Sequence, residues 1–259
     1  MGDFIEVASE VAKAAGQYLL DHKGKIDKKN VDEKARNDFV TFVDHQSEKL
    51  IVDSLHSSFP DHKILAEEGS QKTSITEYRW IIDPLDGTKN FIQDIPIFCV
   101  SIALEHQGKI IVGVVYDPVH QELFMAERGK GSTCNGKKIQ VSQRSMKESL
   151  IATGFPFKFK NYLPQYLHCF EEIFLKCSGM RRCGSAAIDL CYTAIGRFEG
   201  FWELGLSIWD MAAGSLIIQE AGGIVSDFWA KDDYLNNGFI IAGNPSVHKN
   251  LQAIVNNYF

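Results

Sequence analysis

No C-x-x-C pair occurs among the six cysteines, Cys99, Cys134, Cys169, Cys177, Cys183 and Cys191, and several of them fall in apolar segments. They read as reduced, packed thiols of a cytosolic protein. Cys183 stands beside Arg181 and Arg182, whose charges would lower a thiol pKa, but packing is the favoured reading here too. No run of 18 apolar residues occurs, which excludes a membrane-spanning helix. The start, Met1-Gly2-Asp3-Phe4-Ile5-Glu6, lacks the basic and apolar regions of a signal peptide, so a soluble, cytoplasmic protein is expected. Cations are not in excess: 27 Lys and Arg against 33 Asp and Glu leave a net charge of −6. That balance argues against nucleic acid or an anionic membrane as the main partner. An anionic substrate would need local help from metal ions. Repeats, low-complexity tracts and flexible linkers are also missing, so the chain is expected to pack as one unit.

What is present is ordinary globular material, 259 residues with 45% hydrophobic and 23% charged, enough for a large core. Asp3 can cap a first helix whose apolar residues Phe4, Val7, Ala8, Val11, Ala15, Tyr18 and Leu19 recur at helical spacing. A charged run from Lys25 to Arg36 leads to a second amphipathic helix over 44–57. Short strands are expected at 63–66 and at Trp80-Ile81-Ile82, then a hairpin of 97–106 and 109–117, and a strand at 122–127. Beyond about residue 150 helices and strands alternate: helices over 162–177, 185–195, 208–221 and 246–258, and strands over 149–153, 198–202, 224–225 and 239–242. Two halves follow, 1–148 with an antiparallel sheet and 149–259 of α/β type.

Chemistry concentrates in Asp83-Pro84-Leu85-Asp86-Gly87-Thr88-Lys89-Asn90-Phe91. Pro84 lacks an N–H, so the apolar strand is expected to stop there. Asp83 and Asp86, three residues apart, can face one cation, with the Leu85 carbonyl as a third hard oxygen. Such a donor set suits Mg²⁺. The Gly87 and Thr88 N–H groups can face an anion. Taken alone, the same residues also fit a plain solvated Asp-Pro turn. A second acidic turn, Trp209-Asp210-Met211-Ala212-Ala213-Gly214, opens a helix of small residues, where Asp210 can equally be a cap.

These two turns, with Glu67-Glu68 ahead of them and Asp44 after Asp38-Phe39-Val40-Thr41, resemble the inositol monophosphatase family of Mg²⁺-dependent, lithium-sensitive phosphatases. The resemblance runs from Asp38 to Gly222-Gly223 and implies a layered αβαβα sandwich of the inositol monophosphatase and fructose-1,6-bisphosphatase type, usually a homodimer. It implies Glu67, Asp83 and the Leu85 carbonyl as ligands of one Mg²⁺, Asp83, Asp86 and Asp210 as ligands of a second, and a weaker third ion near Glu67. Thr88, polarised by Asp44, would aim the attacking water, and Glu67 would help to hold it. Gly87 and Thr88 would bind phosphate; Gly184, Ser185, Ala186, Glu203 and Asp210 would line the leaving group.

The substrate so implied is a small phosphorylated polyol, first inositol 1-phosphate. Arg181 and Arg182, which resemble bacterial and archaeal members, could hold a second phosphate, so fructose-1,6-bisphosphate is an alternative. Histidinol phosphate and an adenosine bisphosphate are others; the last is disfavoured because no aromatic pair is obviously placed to stack a base. A metal-binding scaffold without turnover is the reading from another class. Two departures stand out: Gly154-Phe155-Pro156-Phe157 replaces small polar residues, and Lys34 is one place out of register with the family's upstream lysine.

Overall fold

The computed structural model describes residues 2–25, 32–35, 38–73 and 76–259; the side chains of 2, 3, 32–35 and 38–40 are outside this description. The Asp3 cap, Arg36 and the side chain of Lys34 therefore lie outside the described residues. Five layers stack as α, β, α, β, α, the sandwich expected from the resemblance.

The first layer is α1 (Gly2–His22) against α2 (Phe42–Ser58). Ala8, Val11, Ala12, Ala15 and Leu19 recur at three- and four-residue spacing and are buried, which fixes the face that α1 turns to the sheet. Before α2 stands a hairpin of β1 (Asp32–Ala35) and β2 (Asp38–Val40). Thr41 caps α2: its Oγ1 accepts the Val43 N–H, while the Asp44 carboxylate accepts the Thr41 N–H at 2.9 Å.

The second layer is an eight-stranded sheet built from β3 (Lys63–Ala66), β4 (Gln71–Lys72), β5 (Tyr78–Asp86), β6 (Cys99–His106), β7 (Lys109–Asp117), β8 (Glu122–Glu127), β9 (Gly131–Cys134) and β10 (Lys137–Lys138). Its order is β10-β9-β8-β7-β6-β5-β3-β4, with β3 and β5 parallel and the other pairs antiparallel. Helices cover both faces, so Cys99–Leu104 is buried without alternation.

Pro84 does not end its strand. β5 runs on to Asp86 with a break in register: Asp83 faces Ser101 and Asp86 faces Cys99, so three steps on β5 match two on β6. Pro84 is tolerated because the ladder needs no N–H at such a bulge. Strict alternation would send Asp83 and Asp86 to opposite faces; the extra residue turns both to one. α3 (Thr88–Ile92) follows at once, entered through Gly87 at φ 99°, where a Cβ would come within 2.9 Å of the Ile97 carbonyl.

Between the sheets lie α5 (Ala186–Ala194) and α6 (Ile208–Glu220), and the outer layer holds α4 (Leu163–Lys176) and α8 (Pro245–Val255). The second sheet has the order β12 (Gly179–Arg181), β11 (Leu150–Thr153), β13 (Gly200–Leu204), β15 (Phe239–Gly243), β14 (Ile224–Ser226), with α7 (Tyr234–Asn237) leading into β15. Met211 to Ile218 of α6 are all buried, because small residues let sheet and helix meet closely: a Cβ on Gly113 would lie 2.7 Å from the Ala213 carbonyl.

Candidate active site

Asp83, Asp86 and Asp210 meet at the end of β5, each offering a carboxylate oxygen within 4.8 Å of the others. Each is fixed through one oxygen. Asp83 accepts the Leu85 N–H at 2.9 Å, and Asp210 accepts the Ser207 N–H at 2.7 Å as part of the cap of α6. Asp86 Oδ2 accepts both the Ser185 hydroxyl and the Ala187 N–H, each at 2.7 Å. Burial holds the Asp83 carboxyl well above its ordinary pKa, and the charges of Glu67, Asp86 and Asp210 push it further. Burial also raises Asp86 and Asp210. A crowd of desolvated hard oxygens that repel one another is the donor set that a divalent cation relieves. Glu67, which follows β3, and Leu85 line the same cavity.

Thr88 Oγ1 lies 3.1 Å from Asp44 Oδ1 and 3.1 Å from the Leu85 carbonyl. It has one hydrogen to give, so it serves one of these acceptors at a time and keeps its lone pairs as acceptors; Thr88 lines the same cavity. Asp44 is itself buried, with Oδ2 held by the Thr41 N–H and hydroxyl. Burial raises its pKa, and those hydrogen bonds oppose the rise.

The same cavity is lined by Gly184, Ser185, Ala186 and Glu203, together with Thr153, Gly154, Asp189, Lys89, Lys158, Phe155, Phe157 and Arg182. Glu203 occupies the room that Gly154 leaves: a Cβ there would sit 1.8 Å from Glu203 Oε1. Burial first, then the Asp189 charge, raises the Glu203 pKa well above normal, and Arg182 opposes this. Arg181 and Arg182 part company. Arg181 is exposed, outside the cavity wall, and donates to its neighbour's carbonyl (Met180), whereas Arg182 lies over the rings of Phe155 and Phe157 at 5.8 and 5.9 Å. Lys89 Nζ is 4.8 Å from the centre of the Phe157 ring.

Phe155 and Phe157, both about two-fifths exposed, stand edge to face in the cavity wall, with ring centres 5.9 Å apart. Cys183 is a packed thiol, the favoured reading of the sequence: burial and Asp189 raise its pKa despite the two arginines. Asp189, 1% exposed with Oδ1 unpartnered, was not anticipated, nor were Lys89 and Lys158. Lys89 sits inside the first motif, where its position was the one signal; nothing in the sequence marks Asp189 apart from other polar residues of a helix.

A family model described as the inositol monophosphatase family matches residues 1–258. The Nus factor SuhB of Escherichia coli K12 is 44% identical over 255 residues, covering 98% of this chain and 96% of that protein. Among solved structures, the extragenic suppressor protein suhB of Bartonella henselae superposes with a TM-score of 0.94 at 41% identity, covering 98% of both chains. An inositol monophosphatase from Anabaena superposes with a TM-score of 0.87 at 37% identity, covering 100% of this chain and 97% of its own.

Proposed function

The chain belongs to the inositol monophosphatase family, and from that premise we propose that it hydrolyses the phosphate monoester of a small polyol, first inositol 1-phosphate, with Mg²⁺. The observation that carries this reading is the meeting of Asp83, Asp86 and Asp210 beside the Asp44–Thr88 pair, with Glu203 lining the same cavity. Asp83, Asp86 and Asp210 would hold one ion, Glu67, Asp83 and the Leu85 carbonyl another, and Glu67 a weaker third. When bound, Mg²⁺ supplies charge neutralisation at the phosphate and a more acidic water.

The chain's own groups do the rest. The Thr88 hydroxyl gives its hydrogen to Asp44 or to the Leu85 carbonyl and accepts one from water through a lone pair, which aims that water at phosphorus. Asp44 fixes the direction of the hydroxyl without deprotonating it, and Glu67 helps to hold the water. The Gly87 and Thr88 N–H groups receive phosphate oxygens, and Glu203 accepts hydroxyls of the leaving alcohol. Lithium sensitivity and a homodimer, tested by inhibition assay and light scattering, belong to the same proposal.

Lys89, Lys158 and Arg182 in the cavity favour a sugar bisphosphate as the alternative substrate. The deciding measurement is kcat/KM for inositol 1-phosphate, fructose-1,6-bisphosphate, histidinol phosphate and an adenosine bisphosphate. Asp86→Asn is expected to abolish Mg²⁺-dependent hydrolysis in a folded protein; normal turnover would remove the metal assignment. Thr88→Ala is expected to lower kcat by about 100-fold or more with cation binding retained. The relatives' name favours a second reading, a role as a Nus factor independent of hydrolysis. Replacement of the Escherichia coli protein in vivo by the Asp86→Asn variant would support it.

A further inference from the structure

Ser185 does something other than line the leaving group. Its Oγ donates to Asp86 Oδ2 at 2.7 Å across 99 residues of sequence, and it accepts the Ile188 N–H at 3.3 Å as the cap of α5. The same Asp86 oxygen takes the Ala187 N–H, so the first turn of α5 grips one side of this carboxylate. Cys99 Sγ stands 3.6 Å from Ser185 Oγ and 3.9 Å from Asp86 Oδ2. Ser185 is 1% exposed, so its hydroxyl is spent within the protein. Asp86 is the last residue of β5, paired with Cys99 just past the bulge, and α5 adds a second frame where the strand ends.

We propose that Ser185 is a positioning residue for Asp86: it sets the carboxylate's orientation in the three-acid cluster and thereby the affinity of that cluster for a divalent cation. The inference rests on the metal reading of the preceding subsection. It differs from the role implied by the family resemblance, in which Ser185 faces the substrate. An orienting hydrogen bond to a metal ligand is typically worth 10- to 100-fold in cation affinity.

The test is Mn²⁺ binding, read from the loss of the free-ion EPR signal, on the wild type, Ser185→Ala, Ser185→Gly and Ser185→Thr. Ser185→Ala is expected to bind about 10- to 100-fold more weakly, with KM for inositol 1-phosphate unchanged once the cation saturates. Ser185→Thr is expected to bind as the wild type does. Ser185→Gly keeps most of the helix cap while removing the hydroxyl, so it is expected to bind as weakly as Ser185→Ala. Asn244→Ala, which uncaps the distant α8, is expected to leave binding unchanged. Unaltered binding in both Ser185→Ala and Ser185→Gly would overturn the inference, as would a raised KM at saturating cation with normal affinity. A wild type that binds no Mn²⁺ would overturn the metal reading itself, and this inference with it.

Discussion

Gly154 is where the absence of a side chain does the most for the cavity. Because a Cβ would lie 1.8 Å from Glu203 Oε1, even alanine forces that half-buried carboxyl out of its place. Gly154→Ala is therefore expected to lower kcat/KM for inositol 1-phosphate by about 10- to 100-fold, the size of a hydrogen bond to a charged or strongly polarised group. Turnover of p-nitrophenyl phosphate, whose leaving group carries no other hydroxyl, should fall far less. Equal losses on both substrates would take Glu203 out of leaving-group recognition. The acids were legible because Asp83, Asp86 and Asp210 stand in tight motifs with glycine and small residues around them. The service of Gly154 to Glu203 was not, since it depends on two strands, β11 and β13, lying side by side.

At the scale of elements, the seam between α6 and β7 controls where Asp210 stands. A Cβ on Gly113 would meet the Ala213 carbonyl at 2.7 Å and its Cα at 3.1 Å, both backbone atoms with little freedom to yield. Gly113→Ala is expected to cost about 1–3 kcal/mol, seen as a Tm lowered by several degrees. It should also weaken Mg²⁺ affinity, because the helix that shifts carries Asp210. A lower Tm with unaltered affinity would show that the strain is absorbed elsewhere. The long elements could be read beforehand: β6 and β7 are continuous apolar runs, and α1 and α8 show helical spacing. β9, β10 and β12, of two to four residues, are held by neighbours rather than by any pattern of their own. The bulge at Pro84 was misread for a related reason. Proline without an N–H looks like a stop unless the facing strand is known to skip a residue.

For the whole molecule, a set of buried acids ties stability to pH. Burial foremost, and the Asp86 charge after it, raise the Asp189 carboxyl to about 8, above the ordinary value near 3.9 that it regains on unfolding. The folded protein thus keeps a proton that the unfolded chain has released. Its contribution to stability is complete below pH ~4 and is lost as pH rises towards 8, by up to about 1.4 kcal/mol per unit for this group. In chelator, the wild-type Tm is expected to fall from pH 5 to pH 8 more steeply than that of Asp189→Asn; parallel curves would show that Asp189 is not the protonated group. Such acids gather only when both sheets close on α5 and α6, which is why the layers were legible from the order of elements but this electrostatic load was not.

The bulge in β5 also sets how fragile the chemistry is against the fold. Loss of a single codon between Asp83 and Asp86 would keep Trp80, Ile81 and Ile82 in the core and let the strand pair smoothly to its end. Both carboxylates would then stay on one face, two residues apart, but the unpaired bulge backbone from which Leu85 offers its carbonyl to the Thr88 hydroxyl would be lost. A frame-preserving deletion that most surface turns absorb would here keep the core and take away the backbone that seats Thr88.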